Sequence, residues 1–224
     1  MNTVIIVAGG KGERMQTNIP KQFLEIRRKP ARKKPVLMHT IEAFYRYDNS
    51  ISIIVVLPAE QICFWKGLCR KHHFAIPHTI VEGGATRFHS VQNGLNIAET
   101  DSLIAVHDGV RPLVSKETIT RCFENVERYK AVVPVVDVVD SIRYAFADEN
   151  YACDRTKYKL VQTPQVFEGK LLKEAYKQEF SPNFTDDASV VEALGEKIHL
   201  VEGNRENIKI TTAVDLKLAE IIFV

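Results

Sequence analysis

No two cysteines in this 224-residue sequence are spaced as CxxC, which argues against a zinc ribbon or a thioredoxin-like redox site. Long apolar runs are also missing, since none approaches the roughly 18 residues of a membrane-spanning helix. The first residues lack the basic region, apolar core and cleavage site of a signal peptide. We therefore expect a cytoplasmic protein with no membrane partner, whose four cysteines are free thiols or fill the core.

The sequence also has little excess of one sign of charge over the other. The formal net charge is only +2, too small to indicate a nucleic-acid or membrane partner. The exception is Arg27–Lys34, a basic segment with the sequence RRKPARKK, in which Arg27–Ala31 is followed by a near copy, Arg32–Val36. This segment could bind polyanions or act as a targeting signal. It holds no aromatic residue that would favour single-stranded nucleic acid, and we favour a solvated loop lengthened by duplication.

Short, continuous apolar runs are what the chain does contain. They predict buried strands at Thr3–Ala8, Ile51–Leu57, Leu103–Val106, Val132–Val136 and Ile198–Val201. Helical patterns fall between them, at Met38–Tyr47, Glu60–His72, Phe88–Ala98 and Glu117–Tyr129. This alternation predicts one α/β domain over residues 1–224, with a Rossmann-like, mostly parallel sheet flanked by helices.

Further helices are predicted near the end of the chain. Lys170–Glu179 is one, and Asp186–Leu194, with Thr185 as N-cap, is another. The last begins with the capping-box pair Thr212 and Asp215. Its apolar residues recur with the period of a helix that packs on a core, at Val214, Leu218, Ile221 and Ile222.

The interval Asp137–Thr156 interrupts the alternation. Its short β-like pieces, Val138–Tyr144 and Tyr151–Cys153, flank a polar turn at Asp148–Asn150. We interpret it as a β-hairpin arm inserted into the α/β domain. Because an isolated hairpin is only marginally stable, a partner surface such as a second copy of the chain would stabilise it.

A glycine-rich loop follows the first strand. Residues 8–15, AGGKGERM, can bring backbone N–H groups against phosphate oxygens. The loop is not a Walker A motif, since no Gly-Lys-Ser/Thr closes it, and Met15 stands where a dinucleotide fingerprint needs a third glycine or alanine. Arg14 and Lys21 place two cations just beyond it, which indicates attack at the α-phosphorus of a triphosphate. Either cation alone is more often a solvated surface charge.

Together with Pro20 and Lys21, which follow it in the chain, this loop resembles the nucleotidyltransferase family that activates sugar and alditol phosphates. Five more motifs narrow the resemblance to the cytidylyltransferases of methylerythritol phosphate, in the non-mevalonate isoprenoid pathway: Pro20–Leu24 (PKQFL), Val106–Pro112 (VHDGVRP), Gln162–Phe167 (QTPQVF), Thr185–Ser189 (TDDAS) and Asn207–Thr211 (NIKIT). The motifs run from the first strand to the last helix. Two features depart from the family pattern: the basic segment replaces a short turn, and Gly109 stands where alanine is usual.

The resemblance implies that the donor is CTP and that Mg²⁺ bridges its phosphates. The α-phosphate would be held by Arg14, Lys21 and Lys209. The glycine-rich loop would bind the triphosphate through Gly10, Lys11, Gly12 and Glu13. Cytosine would be selected by backbone groups and a hydroxyl, from Ala8, Gly9, Gly84, Ala85 and Ser90.

For the acceptor, the resemblance implies binding by Asp108, Arg111, Ser141, Arg155 and Thr163. Asp108 follows a predicted strand, where open α/β sheets bind ligands, and would also lie near the metal and the ribose. Ser141 and Arg155 belong to the arm, which in the family crosses to the partner subunit. We therefore expect a homodimer with shared active sites.

Alternatives remain open. Ribitol 5-phosphate cytidylyltransferases share the loop, HDxxRP and TPQ motifs, and their five-carbon acceptor is similar. A protein of another class could use the basic segment to bind nucleic acid, or act as a regulator, on an inactive nucleotidyltransferase fold. A metal-dependent HD hydrolase centred on His107 and Asp108 needs further metal-spaced histidines, which the adjacent His72 and His73 do not supply.

Overall fold

The computed structural model describes residues 1–10, 19–27 and 33–223. The predicted phosphate-binding residues Lys11, Gly12, Glu13 and Arg14 lie outside the described residues. Residues 28–32, the centre of the basic segment, lie outside them too.

The described residues form strands and helices that alternate over part of the chain. The strands are β1 Thr3–Val7, β2 Glu25–Arg27, β3 Lys33–Pro35, β4 Ser52–Leu57, β5 Thr79–Glu82, β6 Leu103–Asp108, β7 Ala131–Asp137, β8 Ile142–Phe146, β9 Glu149–Cys153, β10 Lys159–Val161, β11 Gln165–Glu168 and β12 His199–Glu202. The helices are α1 Val36–Tyr47, α2 Ala59–Lys71, α3 Arg87–Ile97, α4 Lys116–Tyr129, α5 Gly169–Ala175, α6 Asp187–Glu192 and α7 Ala213–Ile222.

The main sheet is parallel in the half that carries the candidate site. Strands β5, β4, β1 and β6 lie side by side in that order and all run in one direction. Beyond β6 the sheet is mixed: β11 is antiparallel to β6 and β7, β10 is antiparallel to β7, and β12 is parallel to β7. The predicted mostly parallel α/β fold is confirmed, although the short strands β5, β10 and β11 were not predicted.

Helices cover both faces of this sheet. On β1, Val4 and Ile6 join a cluster with Phe44 of α1 and Trp65 of α2. The intervening Ile5 joins a second cluster on the opposite face, built with α3, α5 and α6. Since successive strand residues point to opposite faces, burial on both sides explains why the strands are continuously apolar.

The last helix corrects a prediction. Its capping box is present, with Thr212 and Asp215 each bonding the other's backbone. Of the four apolar residues expected on its buried face, however, three are exposed, namely Val214 at 72%, Leu218 at 42% and Ile221 at 68%, and only Ile222 is half-buried and packs on the core. Helix α7 instead buries Ala219, on the side that packs beside β2. Both sides of α7 carry apolar residues, so periodicity alone could not identify the buried one.

Helix α6 also differs from its prediction in detail. Its N-cap is Asp186, whose carboxylate accepts from the backbone of Ser189, and not Thr185. None of the helices in the described part of the chain has the length and apolar character needed to cross a membrane.

The inserted arm is present as a separate two-stranded antiparallel sheet, β8–β9. Its turn lies at Ala147–Asp148, earlier than predicted, because Glu149 and Asn150 already pair with β8. Ala147 adopts a left-handed φ of 51°, which a tight hairpin turn requires.

The described ends of the basic segment form strands rather than the predicted loop. Arg27 in β2 lies opposite Lys33 in β3. The Lys33 ammonium is 3.2 Å from Glu220 of α7, and Lys34 pairs with Glu42 of α1. These lysines are thus partly neutralised by acidic residues of the domain itself.

Candidate active site

A cavity of about 570 Å³ opens where the four parallel strands end. It is lined by the loops that follow β1, β4 and β5, by the last residue of β6, and by side chains from two other segments: Ala8, Gly9, Gly10, Pro58, Gly83, Gly84, Ala85, Thr86, Arg87, Asp108, Lys21 and Lys209. From β1 the chain adds β4 and β5 on one side of the sheet and then returns to add β6 on the other side. The strand order therefore reverses at β1, which lies between β4 and β6. Open α/β sheets bind ligands at such a position.

On the first wall of the cavity, Lys21 lies against the glycine-rich loop. Lys21 begins a single 3₁₀ turn, Lys21–Phe23, and the next residue, Gln22, is fully buried. Gln22 donates from Nε2 to the carbonyl of Ala8, at 2.7 Å. A Cβ on Gly10 would lie 3.1 Å from Lys21 Cε, so the lysine side chain passes directly over this glycine.

The second wall is the loop between β5 and α3. Thr86 caps α3, and the Ser90 hydroxyl accepts from the Gly84 N–H at 3.1 Å and donates to the Thr86 carbonyl at 2.9 Å. A Cβ on Gly84 would lie 2.4 Å from that of His89, a contact that only glycine permits. The Ser90 hydroxyl therefore fixes the shape of the loop that carries Gly84 and Ala85.

Asp108 lies among three cations at the end of β6. Its Oδ2 is 3.1 Å from both Lys209 Nζ and Arg111 Nε, and its Oδ1 is 4.0 Å from Arg87 Nε. Burial alone would raise the pKa of this carboxyl, but Lys209, Arg87 and Arg111 together bring the pKa well below its ordinary value. Asp108 is therefore ionised at neutral pH.

Beneath Asp108, a hydrogen-bonded chain fixes the backbone. The Asp108 N–H donates to Thr163 Oγ1 at 3.1 Å, and His107 Nδ1 lies 3.0 Å from the same hydroxyl. His107 Nε2 is 3.1 Å from the carbonyl of Arg111, which can only accept. Burial lowers the pKa of His107 to about 4, so the ring is neutral, Nε2 carries the proton, and Nδ1 accepts from Thr163.

Lys209 reaches the cavity because the chain is anchored on both sides of it. Asn207 is fully buried and donates from Nδ2 to the Thr163 carbonyl at 2.8 Å. The Ile210 N–H donates to the carbonyl of Val110 at 3.0 Å. These bonds hold Lys209 over Asp108, which explains why the two distant motifs VHDGVRP and NIKIT act at one place.

The fold thus gathers Ala8, Gly9, Gly10, Lys21, Gly84, Ala85, Ser90, Asp108 and Lys209 around one cavity. Arg111 and Thr163 are not among the lining residues, but both contact Asp108. Ser141 and Arg155 are exposed on and beside the arm and do not line the cavity of their own chain.

Arg87 and Asp187 were not assigned a role from the sequence. Arg87 lines the cavity, and Asp187 binds it through two hydrogen bonds. One signal was available in the sequence. A cation at the start of a helix is opposed by the helix dipole, so an arginine there indicates a tertiary partner.

Comparison with known proteins agrees with this geometry. The family model of 2-C-methyl-D-erythritol 4-phosphate cytidylyltransferase, IspD, matches residues 2–224. The chain belongs to this family. A relative of that name from Bacteroides thetaiotaomicron is 60% identical over 216 residues, which cover 96% of each chain.

Solved structures of the family have the same fold. The cytidylyltransferase of Thermus thermophilus matches with a TM-score of 0.75 at 32% identity, covering 100% of this chain and 99% of that one. The bifunctional IspDF of Campylobacter jejuni matches with a TM-score of 0.80 at 31% identity, covering 97% of this chain and 54% of that one. Membership of this enzyme family confirms the expected nucleotidyltransferase.

Proposed function

We propose that this protein transfers the cytidylyl group of CTP to 2-C-methyl-D-erythritol 4-phosphate and releases pyrophosphate. The observation that carries the proposal is the meeting of Lys21, Lys209 and Asp108 in one cavity at the strand ends, in a chain that matches the family from residue 2 to residue 224. The cavity volume, about 570 Å³, lies within the range of about 300–1,000 Å³ found for small-molecule sites.

The reaction needs no covalent enzyme intermediate. An oxygen of the acceptor's phosphate attacks the α-phosphorus in line, the bond from that phosphorus to the bridging oxygen breaks, and pyrophosphate departs. Lys21 and Lys209, with Arg14 as the third predicted cation, stabilise the negative charge that builds at phosphorus and on the leaving group. No general base is required, since a phosphate dianion is already nucleophilic at neutral pH.

Selection of cytosine falls to the two loops that flank the nucleotide end of the cavity. These loops line the cavity with Ala8, Gly9, Gly84 and Ala85, whose small or absent side chains leave the backbone to make polar contacts. Fixed backbone donors and acceptors can distinguish cytosine from uracil, because the two bases exchange donor and acceptor on their Watson–Crick edge. Loop rigidity, supplied by Ser90, is therefore part of nucleotide choice.

The residues of the cavity fit a magnesium ion held mainly by the substrate. Asp108 offers one ionised carboxylate, and the described residues contain no group of three or more His, Cys, Asp or Glu side chains arranged for a metal. Mg²⁺ commonly binds one or two carboxylates together with substrate phosphates and water. When bound, it would neutralise triphosphate charge, with Asp108 as the protein's ligand.

A homodimer with shared sites is part of the proposal. Its support is the arm, where Tyr144 and Tyr151 stack on each other while remaining about half exposed, and Phe146 is 71% exposed. A second copy of the chain that covered these apolar side chains would stabilise the arm. Such pairing would let Ser141 and Arg155 serve the partner's acceptor pocket. The cytoplasmic location stays a prediction.

The test measures pyrophosphate release with CTP and one acceptor at a time. We expect turnover with 2-C-methyl-D-erythritol 4-phosphate, at least about a hundredfold lower kcat/KM for the Lys21→Ala variant, and CTP preferred over UTP. The exposed Lys217→Ala variant is the matched control and should behave as wild type. Higher kcat/KM with ribitol 5-phosphate would replace the acceptor, and no release with either acceptor would refute the function.

A further inference from the structure

The TDDAS motif places a fully buried carboxylate behind the cavity wall. Asp187, the first residue of α6, is 0% exposed. Its Oδ1 accepts from Arg87 Nη1 at 2.9 Å and from the Tyr176 hydroxyl at 2.6 Å, and its Oδ2 accepts from Arg87 Nη2 at 2.6 Å. Three directed donors thus hold this carboxylate in place, as an ionised group away from water requires.

Arg87, which pairs with Asp187, also faces the cavity. Arg87 lines the cavity, 30% of its side chain is exposed, and its Nε lies 4.0 Å from Asp108 Oδ1. A guanidinium has five N–H donors, and the bonds to Asp187 use two of them. An ion pair that served stability alone could be buried completely or replaced by apolar residues, yet this arginine borders the cavity.

We propose that Arg87 binds a phosphate group of a substrate in this cavity, and that Asp187, with Tyr176, is the positioning residue that fixes its guanidinium. The proposal rests on the function proposed above. Lys21 and Lys209 supply positive charge as compact ammonium groups, which lack a planar set of donors. Arg87, whose charge Asp187 balances, supplies donors of fixed direction, the geometry that suits a phosphate.

Two phosphate sources share this chemistry, the triphosphate of CTP and the monophosphate of the acceptor. Calorimetry on the full chain with each ligand separately distinguishes them, using wild type and Arg87→Lys. The lysine keeps the charge and loses the planar fork, so we expect the dissociation constant of one ligand to rise at least about tenfold. The KM for the same substrate should rise in the pyrophosphate assay. Arg121→Lys in α4, whose guanidinium donates to the Glu202 carbonyl outside the cavity, is the matched control.

Two further variants test the positioning role. Asp187→Asn keeps the shape and removes the charge, while Tyr176→Phe keeps the ring stacked on Phe88, at 4.7 Å, and removes only the hydroxyl. Both should weaken the ligand that Arg87→Lys weakens, Tyr176→Phe by only about threefold, since one hydrogen bond of a network is lost. The affinity of the other ligand should stay within about twofold.

The proposal is overturned if Arg87→Lys binds both ligands within about twofold of wild type. It is also overturned if both affinities fall equally together with the thermal midpoint, because a structural ion pair would do that. Should Arg87→Lys fail to fold, the ligand-specific effect of Tyr176→Phe decides. A wild-type protein that binds both ligands without turnover would refute the proposed function alone, since the dissociation constants still test Arg87.

Discussion

Lys209 Nζ lies 3.1 Å from Asp108 Oδ2, so the motif that precedes the last helix meets the end of the central strand β6. We expect Lys209→Ala to lower kcat/KM for CTP at least about a hundredfold, the scale for losing one preorganised charge at a reacting phosphate. Its thermal midpoint should change little, because Lys209 is 43% exposed and Arg111 still pairs with Asp108. Steady-state kinetics with calorimetric melting, beside Lys217→Ala, measure both; near-normal turnover would remove Lys209 from the site.

The buried His107 should make stability depend on pH. Its folded pKa, about 4, lies below its ordinary 6.5, so the unfolded chain takes up the proton first as pH falls. Its contribution is therefore fully present above pH 6.5 and is lost towards pH 4, amounting to at most roughly 3 kcal/mol. Urea unfolding of wild type and His107→Gln at several pH values isolates it.

In this comparison the glutamine variant should lose less stability on acidification than wild type. Glutamine can still donate to the Arg111 carbonyl and accept from Thr163. His73→Asn is the control, because His73 is exposed and asparagine tolerates its left-handed φ of 48°. Identical pH slopes for wild type and His107→Gln would contradict the buried neutral imidazole.

The Ser90 hydroxyl should matter for nucleotide choice. Ser90→Ala removes the acceptor of the Gly84 N–H and the donor to the Thr86 carbonyl. The loosened loop should raise the KM for CTP about tenfold and narrow the preference over UTP, since one or two loop hydrogen bonds are lost. Kinetics with both nucleotides, beside the exposed Ser50→Ala, test this; an unchanged CTP-to-UTP ratio would separate Ser90 from base selection.

We predict that Gly109 is required for full stability and CTP binding in this chain, although alanine is usual at this position of the family motif. A Cβ there would lie 2.8 Å from Ala8 Cβ and 3.2 Å from Leu37 Cδ1, both in the core. Gly109→Ala should cost about 1–3 kcal/mol of stability and, by displacing Ala8, raise the KM for CTP. Gly67→Ala, whose Cβ meets nothing within 4 Å, is the control. A neutral Gly109→Ala would mean that the backbone yields at this point.

Shared sites predict complementation between an impaired variant and an inactive one. Arg155→Ala should raise the KM for the acceptor far more than that for CTP, while Asp108→Ala should be inactive. In a mixed dimer one site keeps both wild-type residues, so mixing should restore up to about a quarter of wild-type activity after random exchange. Sedimentation and a labelled-subunit assay verify exchange; a fully active monomer would overturn the shared site.

The sequence by itself determined three of the four strands in the parallel half of the fold, together with the motifs of the site. Continuous apolar runs identified β1, β4 and β6, because strands buried on both faces have no polar side. Residues close together in the chain, such as Gly9 with Gly10 or Asp108 with Arg111, were found because a local motif contains them. The same local logic identified the capping box at Thr212 and Asp215.

What only the tertiary structure decided are the contacts between motifs. Helix α7 has apolar residues on two sides, and packing against β2 determined which side is buried. The TDDAS motif does not by itself indicate what Asp187 does. Asp187 acts through Arg87, which lies a hundred residues earlier and on another helix. A sequence pattern records local periodicity and capping, whereas the pairing of a buried charge depends on which elements the sheet order brings together.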